Sequence, residues 1–204
     1  MAERGSRRSP PPRAAATVSE DPAPLRKDAA RSREAILAAA RELFARSRDV
    51  PMYEIGRHAG VGQATLYRHF GDRSAIVAAI SREQVELIER VAAEHSDDQR
   101  GILAVLEASA EMLAAIHDLV AILRDEATLA PVLAELRERM RAVLDGALAR
   151  SRPSAVLRAD VKTDDLVLVL NMVNGALGGV AANAERSVVA GRALSLALDG
   201  LQTP

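Results

Sequence analysis

The 204-residue chain contains no cysteine and no tryptophan, and only four aromatic residues in all. Without cysteine there is no disulfide framework, no thiol nucleophile and no thiolate metal site, a composition that fits a reducing cytoplasm. Long apolar runs are missing too. Leu166 to Leu170 is apolar on every side, but Asn171 and Asn174 soon interrupt it, so no membrane span is expected. The first 25 residues are rich in Pro, Arg, Ser and Ala and lack the apolar stretch of a secretory signal. Such a segment cannot bury enough surface to offset its ordering entropy, so residues 1–25 read as a disordered basic tail. No Ser/His/Asp set or carboxylate pair stands out. His58 and His69 lie eleven apart without a third ligand at a usual spacing. Neither catalysis nor a metal nor a cofactor is expected.

What is present is unevenly spread. Residues 1–73 hold 14 Lys/Arg against 9 Asp/Glu, whereas residues 74–204 hold 13 against 19. That is the distribution expected if one end meets phosphates and the other does not. All four aromatics (Phe44, Tyr53, Tyr67 and Phe70) fall within 27 residues, and the last 134 residues have none. Two halves with different tasks are implied.

The most informative stretch is Pro51 to Phe70. Pro51 suits a first helical position. Met52, Ile55 and Ala59 give one apolar helical face. Gly60 can take positive φ and break the helix, with Val61 as the buried plug of the turn. Gly62 opens a second helix with Leu66 and Phe70 inward. Gln63, Ala64, Thr65, Tyr67, Arg68 and His69 remain outside. This is the grammar of a helix-turn-helix reader of DNA, although the spacing alone also describes an ordinary corner between two helices. A reader helix would enter the major groove. There Gln63 can present its amide to adenine, Ala64 and Thr65 can touch a thymine methyl or the backbone, and Arg68 can meet guanine or phosphate.

The rest of the chain reads as helical. A first helix from about Lys27 to Ser47 carries Ile36, Leu37, Ala40, Leu43 and Phe44 on one stripe. A fourth follows Gly71, capped by Asp72, and runs to about His95. Periodic apolar residues then predict helices over Gln99–Ile116, Asp118–Ala127 and from Pro131 to about Arg150, the last with a Glu135–Arg139 pair at i,i+4. After a loop containing Pro153, Thr163 is a candidate cap for a buried helix to Ala182, and Ala184–Leu201 is the last. The expected fold is all-α, with about nine helices.

At residue level, Ala59-Gly60-Val61 followed by Thr65-Leu66-Tyr67-Arg68-His69-Phe70 resembles the signature of the TetR family of bacterial repressors. Ile36 to Phe44 resembles that family's first helix, and Gly71 to Ile76 the start of its fourth. The specific part covers about Arg31 to Ile80; the remainder matches in length and helical character only. The resemblance implies a three-helix DNA-binding domain over 26–72 and a helical ligand-binding and dimerisation domain over 73–204. It implies phosphate contacts from Arg31 or Arg33, from Tyr67 and His69, and from Arg73, which stands where the family usually has lysine. It implies a pocket between the middle helices, with Met112, Leu113, Ile116, Leu119, Leu123, Leu136 and Met140 as candidate lining and His117, Arg124 and Asn174 as its few polar groups. Any one of those apolar residues is equally well plain core.

The resemblance also implies that the last two helices pair with their two-fold mates. The small residues Gly175, Gly178, Gly179 and Ala182, with Leu168, Met172, Leu194 and Leu198, are the candidate seam. The function implied is a homodimeric cytoplasmic repressor of a palindromic double-stranded operator, released by a small-molecule effector. Two departures favour an alternative, a helical interaction protein with a degenerate reader. The loop between Phe44 and Met52 is about two residues short, and Val50-Pro51 replaces the usual Thr pair, leaving Asp49 as the candidate cap. A helical enzyme is a third class, with no catalytic constellation to support it.

Overall fold

The computed structural model describes residues 22–180 and 183–202, so most of the expected N-terminal tail, and Ala182, lie outside the described residues. Eight α-helices are described: α1 (Pro22–Phe44), α2 (Met52–His58), α3 (Gln63–His69), α4 (Arg73–Glu94), α5 (Gly101–Asp125), α6 (Ala130–Ser151), α7 (Thr163–Ala176) and α8 (Asn183–Asp199). The chain is all-α, and no strand is assigned among the described residues. No described helix is long and apolar enough to cross a membrane.

The N-terminal three helices close around a small core. Ile36, Leu37, Ala40 and Phe44 from α1 meet Val50, Ile55 from α2, Leu66 from α3 and Phe70, all buried. Apolar burial of this kind is worth about 1.5–3 kcal/mol for each large side chain. Gly60 turns the chain between α2 and α3 at φ +67, the left-handed conformation that glycine adopts without penalty. Gly56 has a different task. A Cβ there would come within 3.2 Å of Gln63 Nε2 and Leu66 Cδ2, so the missing methyl lets α3 cross close to α2. Asp72 caps α4, accepting from the Ala75 amide at 2.8 Å.

Several expectations need correction. The first helix begins at Pro22 rather than Lys27 and ends at Phe44. Asp49 does not cap α2. Its own amide donates to Ser47 Oγ at 3.1 Å, and Pro51 occupies the cap position with no side-chain hydrogen bond. The count is eight rather than nine because Gln99–Ile116 and Asp118–Ala127 form one helix, α5, bent where Ile116 leaves helical geometry (φ −115, ψ 20). No Pro or Gly stands at the bend, so the helix resumes at once. Thr163 lies inside α7, where its hydroxyl donates to Asp145 at 2.7 Å, and the Asp165 carboxylate receives the Lys162 amide at 2.8 Å. α7 stops at Ala176, and a 3₁₀ turn covers Leu177–Gly179.

α4 leaves the N-terminal helices and packs with α5 and α6 to found the C-terminal bundle. Two charged clamps fix that packing: Arg82 with Glu135 at 2.6 Å and Arg139 with Glu89 at 2.8 Å. The Glu135–Arg139 pair along α6 is present at 3.8 Å. The Arg139 guanidinium holds Glu89 below the ordinary carboxylate value, and Arg82 does the same for Glu135. α5 runs through the centre, and α7 and α8 close the far side.

Candidate functional site

The outward face of α3 is polar and open. Gln63, Ala64, Tyr67 and Arg68 are exposed, Thr65 is half-buried, and Gly62 is the extended cap residue before the helix. Tyr53 on α2 stands beside this face at 62% exposure, and its carbonyl receives a long 3.4 Å bond from the Gln63 amide. Tyr53 was not legible as a site residue, because only the packing of α2 against α3 brings it there. Arg31 is exposed, with Asp28 4.0 Å away.

Three residues expected at this surface face elsewhere. Arg33 donates to Glu83 on α4 at 3.1 Å and lies over the Phe70 ring at 5.5 Å. His69 is half-buried, and its Nε2 is enclosed without a partner, so that nitrogen does not face outward. Arg73 donates to the Glu126 carboxylate and the Arg48 carbonyl and sits over Phe44 at 5.2 Å. Ser74 adds a 3.1 Å bond to the same carboxylate. Arg73 therefore joins the N-terminal helices to the end of α5 instead of standing ready for a phosphate. Arg48 extends this seam, reaching Asp118 at 3.6 Å and Asp125 at 3.8 Å. Asp118 also receives Arg186 from α8 at 2.7 Å. His58 pairs with Glu42 at 2.9 Å. Among the described residues no three potential metal ligands are grouped.

A cavity of about 400 Å³ opens between α4, α5, α6 and α7. Most of the expected pocket residues meet there: Met112, Ile116, Leu123, Arg124, Met140 and Asn174 line it. Leu113 and Leu136 line it too, whereas Leu119 is not among its walls. His117 stands behind the wall, its Nδ1 3.2 Å from Asn174 Oδ1. Ser81 and Val85 bring α4 into the same wall, so the helix that starts at Arg73 also borders the cavity.

On the far side, α7 and α8 each have two apolar faces. Leu166, Val169, Val173 and Leu177 point inward, as do Ala190, Leu194 and Leu198. Leu194 and Leu198 are thus core residues and not part of an outer seam. The exposed large apolar residues of these two helices are instead Leu168 and Met172 on α7 and Val188 and Leu196 on α8. A Cβ added at Gly175, Gly178, Gly179 or Gly191 would meet nothing within 4 Å. Packing within this chain does not require those glycines.

Residues 36–80 match the family described as bacterial regulatory proteins, tetR family. The match spans the helix-turn-helix and the start of α4, and the whole chain is similar in fold to TetR-family regulators. It is similar to a TetR transcription regulatory protein from Mycobacterium vanbaalenii, with 29% identity, a TM-score of 0.66, and 88% of this chain and 100% of that one covered. A TetR transcriptional regulator from Streptomyces coelicolor is 24% identical, with a TM-score of 0.64 over 83% of this chain and 98% of that one. FadR from Bacillus subtilis, solved with stearoyl-CoA, shares the fold at 18% identity and a TM-score of 0.63, covering 83% of this chain and 99% of its own. No curated protein matches the sequence. The family match over a formed helix-turn-helix makes the protein a DNA-binding transcriptional regulator rather than an enzyme.

Proposed function

We propose that this regulator is a homodimeric cytoplasmic repressor whose hold on a palindromic operator is released by a small molecule in the α4–α7 cavity. The observation that carries the DNA half is the exposed face of Gln63, Ala64, Tyr67 and Arg68 on a helix braced by Leu66 and Phe70. Gln63 and Arg68 have the donors to read base edges, and Tyr67 and Arg31 are placed to hold phosphates. Dimerisation is supported by Leu168, Met172, Val188 and Leu196, four large apolar side chains left exposed on α7 and α8, and by glycines of the same segment with open space over them. A second copy seated there removes that surface from water, and the glycines let its backbone approach closely.

Release follows from how the cavity borders the seam. A ligand against Ile116 and Asn174 presses on α5 at its bend. Two residues on, Asp118 holds Arg48, and the end of the same helix leads to Glu126, which holds Arg73. A ligand that prefers a second arrangement of this segment shifts the spacing of the two readers by its differential affinity.

The test is binding of purified protein to fragments of its own upstream region. Tyr67→Phe with Arg68→Ala should abolish specific binding while the fold, followed by circular dichroism, is retained. Wild-type affinity in that double variant refutes the assignment of the reader.

A further inference from the structure

The cavity's own chemistry narrows what it takes, an inference that rests on the cavity being the effector site. Its buried wall is aliphatic, built from residues such as Met112, Ile116, Leu123, Leu136 and Leu144. None of the four aromatics lines it, so ring stacking contributes nothing. Its charged members, Arg124, Arg137, Arg141 and Glu138, mark the mouth, where Arg124, Arg137 and Glu138 are exposed. Arg141 is engaged with Asp164 at 2.6 Å, whereas Arg124 and Arg137 make no ion pair among the described residues. Two polar side chains on the wall are deeply buried, Ser81, whose hydroxyl donates to the Val77 carbonyl at 2.8 Å, and Asn174. Asn174 is only 6% exposed, and its Oδ1 is taken by His117. Its amide N–H groups have no partner among the described residues and remain as donors for whatever fills the cavity. His117 and Arg124 lie seven residues apart on the straight part of α5, about 10 Å along the axis.

From this arrangement we infer that the effector is an aliphatic carboxylate with a second oxygen near its buried end. The carboxylate meets Arg124 and Arg137, the chain fills the aliphatic wall, and the inner oxygen accepts from Asn174. A bare hydrocarbon end would leave the Asn174 donors unmet, and a neutral head would forgo the charge-assisted bonds at the mouth.

Calorimetric titration of the full-length protein with decanoate, decan-1-ol and 10-hydroxydecanoate tests each part. Decanoate should bind roughly tenfold or more tightly than decan-1-ol, and 10-hydroxydecanoate a few-fold more tightly than decanoate. Arg124→Gln with Arg137→Gln should collapse the first ratio and leave the second. Asn174→Ser should collapse the second and leave the first. Ratios within one variant are insensitive to a general loss of stability. Equal binding of acid and alcohol, or no gain from the terminal hydroxyl, overturns the class while leaving the cavity as the effector site. Binding of decanoyl-CoA without binding of decanoate overturns the free carboxylate head. Failure of all the probes overturns the class.

Discussion

Glu126→Gln removes the charge that holds Arg73 while keeping a side chain of nearly the same shape beside Ser74. In the wild-type chain the Arg73 guanidinium is committed to Glu126, to the Arg48 carbonyl and to the Phe44 ring. A DNA phosphate can use it only by displacing the carboxylate. Arg73 opens α4 three residues after Phe70, so once released it lies beside the reader helix and can reach the DNA backbone. Each further phosphate neutralised on duplex DNA steepens the log–log salt dependence of binding by about 0.9. One such phosphate then costs about three- to fourfold more affinity between roughly 50 and 200 mM salt. Fluorescence-anisotropy titrations of a labelled upstream fragment over a salt series measure this slope. Glu126→Gln should steepen it by about 0.9 and tighten binding at low salt. Arg73→Gln should keep the wild-type slope, and the double variant should return to it. If Arg73→Gln alone lowered the slope by about 0.9, Arg73 would already be on the DNA and the competition with Glu126 would be refuted.

Other outcomes follow from the same geometry. Leu168→Glu with Leu196→Glu places charge on the exposed apolar surface and should shift the protein toward monomer in sedimentation velocity, with a loss of operator affinity; an unchanged dimer would remove α7 and α8 from the interface. Asp72→Ala removes the cap on α4 and should cost about 1 kcal/mol in urea unfolding, whereas Asp72→Asn should cost much less. The carboxyls of Glu89 and Glu135 are held below their ordinary value of 4.5 by Arg139 and Arg82. Their contribution is therefore fully present above that pH and is lost as pH falls through the lower folded value. Glu89→Gln with Glu135→Gln should destabilise the protein at neutral pH and flatten the acid limb of its stability profile, an effect that salt weakens.

The reader was legible because its signals are local. Gly60 and Asp72 act on neighbours within a few residues, and Leu66 and Phe70 fall at helical spacing, so the sequence places the turn, the inward face of the second helix and the next cap. The pocket was expected from the family resemblance and not from spacing, which describes plain core equally well; the structure gathers most of the named residues round one cavity. The partners of the arginines were not. Arg33 and Glu83 are 50 residues apart, and Arg73 and Glu126 are 53, so their pairing exists only after separate helices have packed. A cation near a DNA-binding motif looks the same in sequence whether it meets phosphate or carboxylate. Leu194 and Leu198 failed for another reason. α8 has apolar residues on more than one face, and periodicity does not say whether a stripe such as Ala190, Leu194 and Leu198 meets its own core or a second copy. The two segments read on either side of Ile116 are one helix, because the backbone continues through the bend.

A two-fold dimer on a symmetric operator has a fixed stoichiometry and spacing. Both are read by sedimentation of the protein with the tightest-binding fragment of its own upstream region, combined with a footprint of that fragment. The expected result is an even number of protomers on an inverted repeat whose half-site centres lie about 34 Å apart or a multiple of it. A single protomer on an unrepeated sequence, or equal protection of any DNA offered, would contradict it.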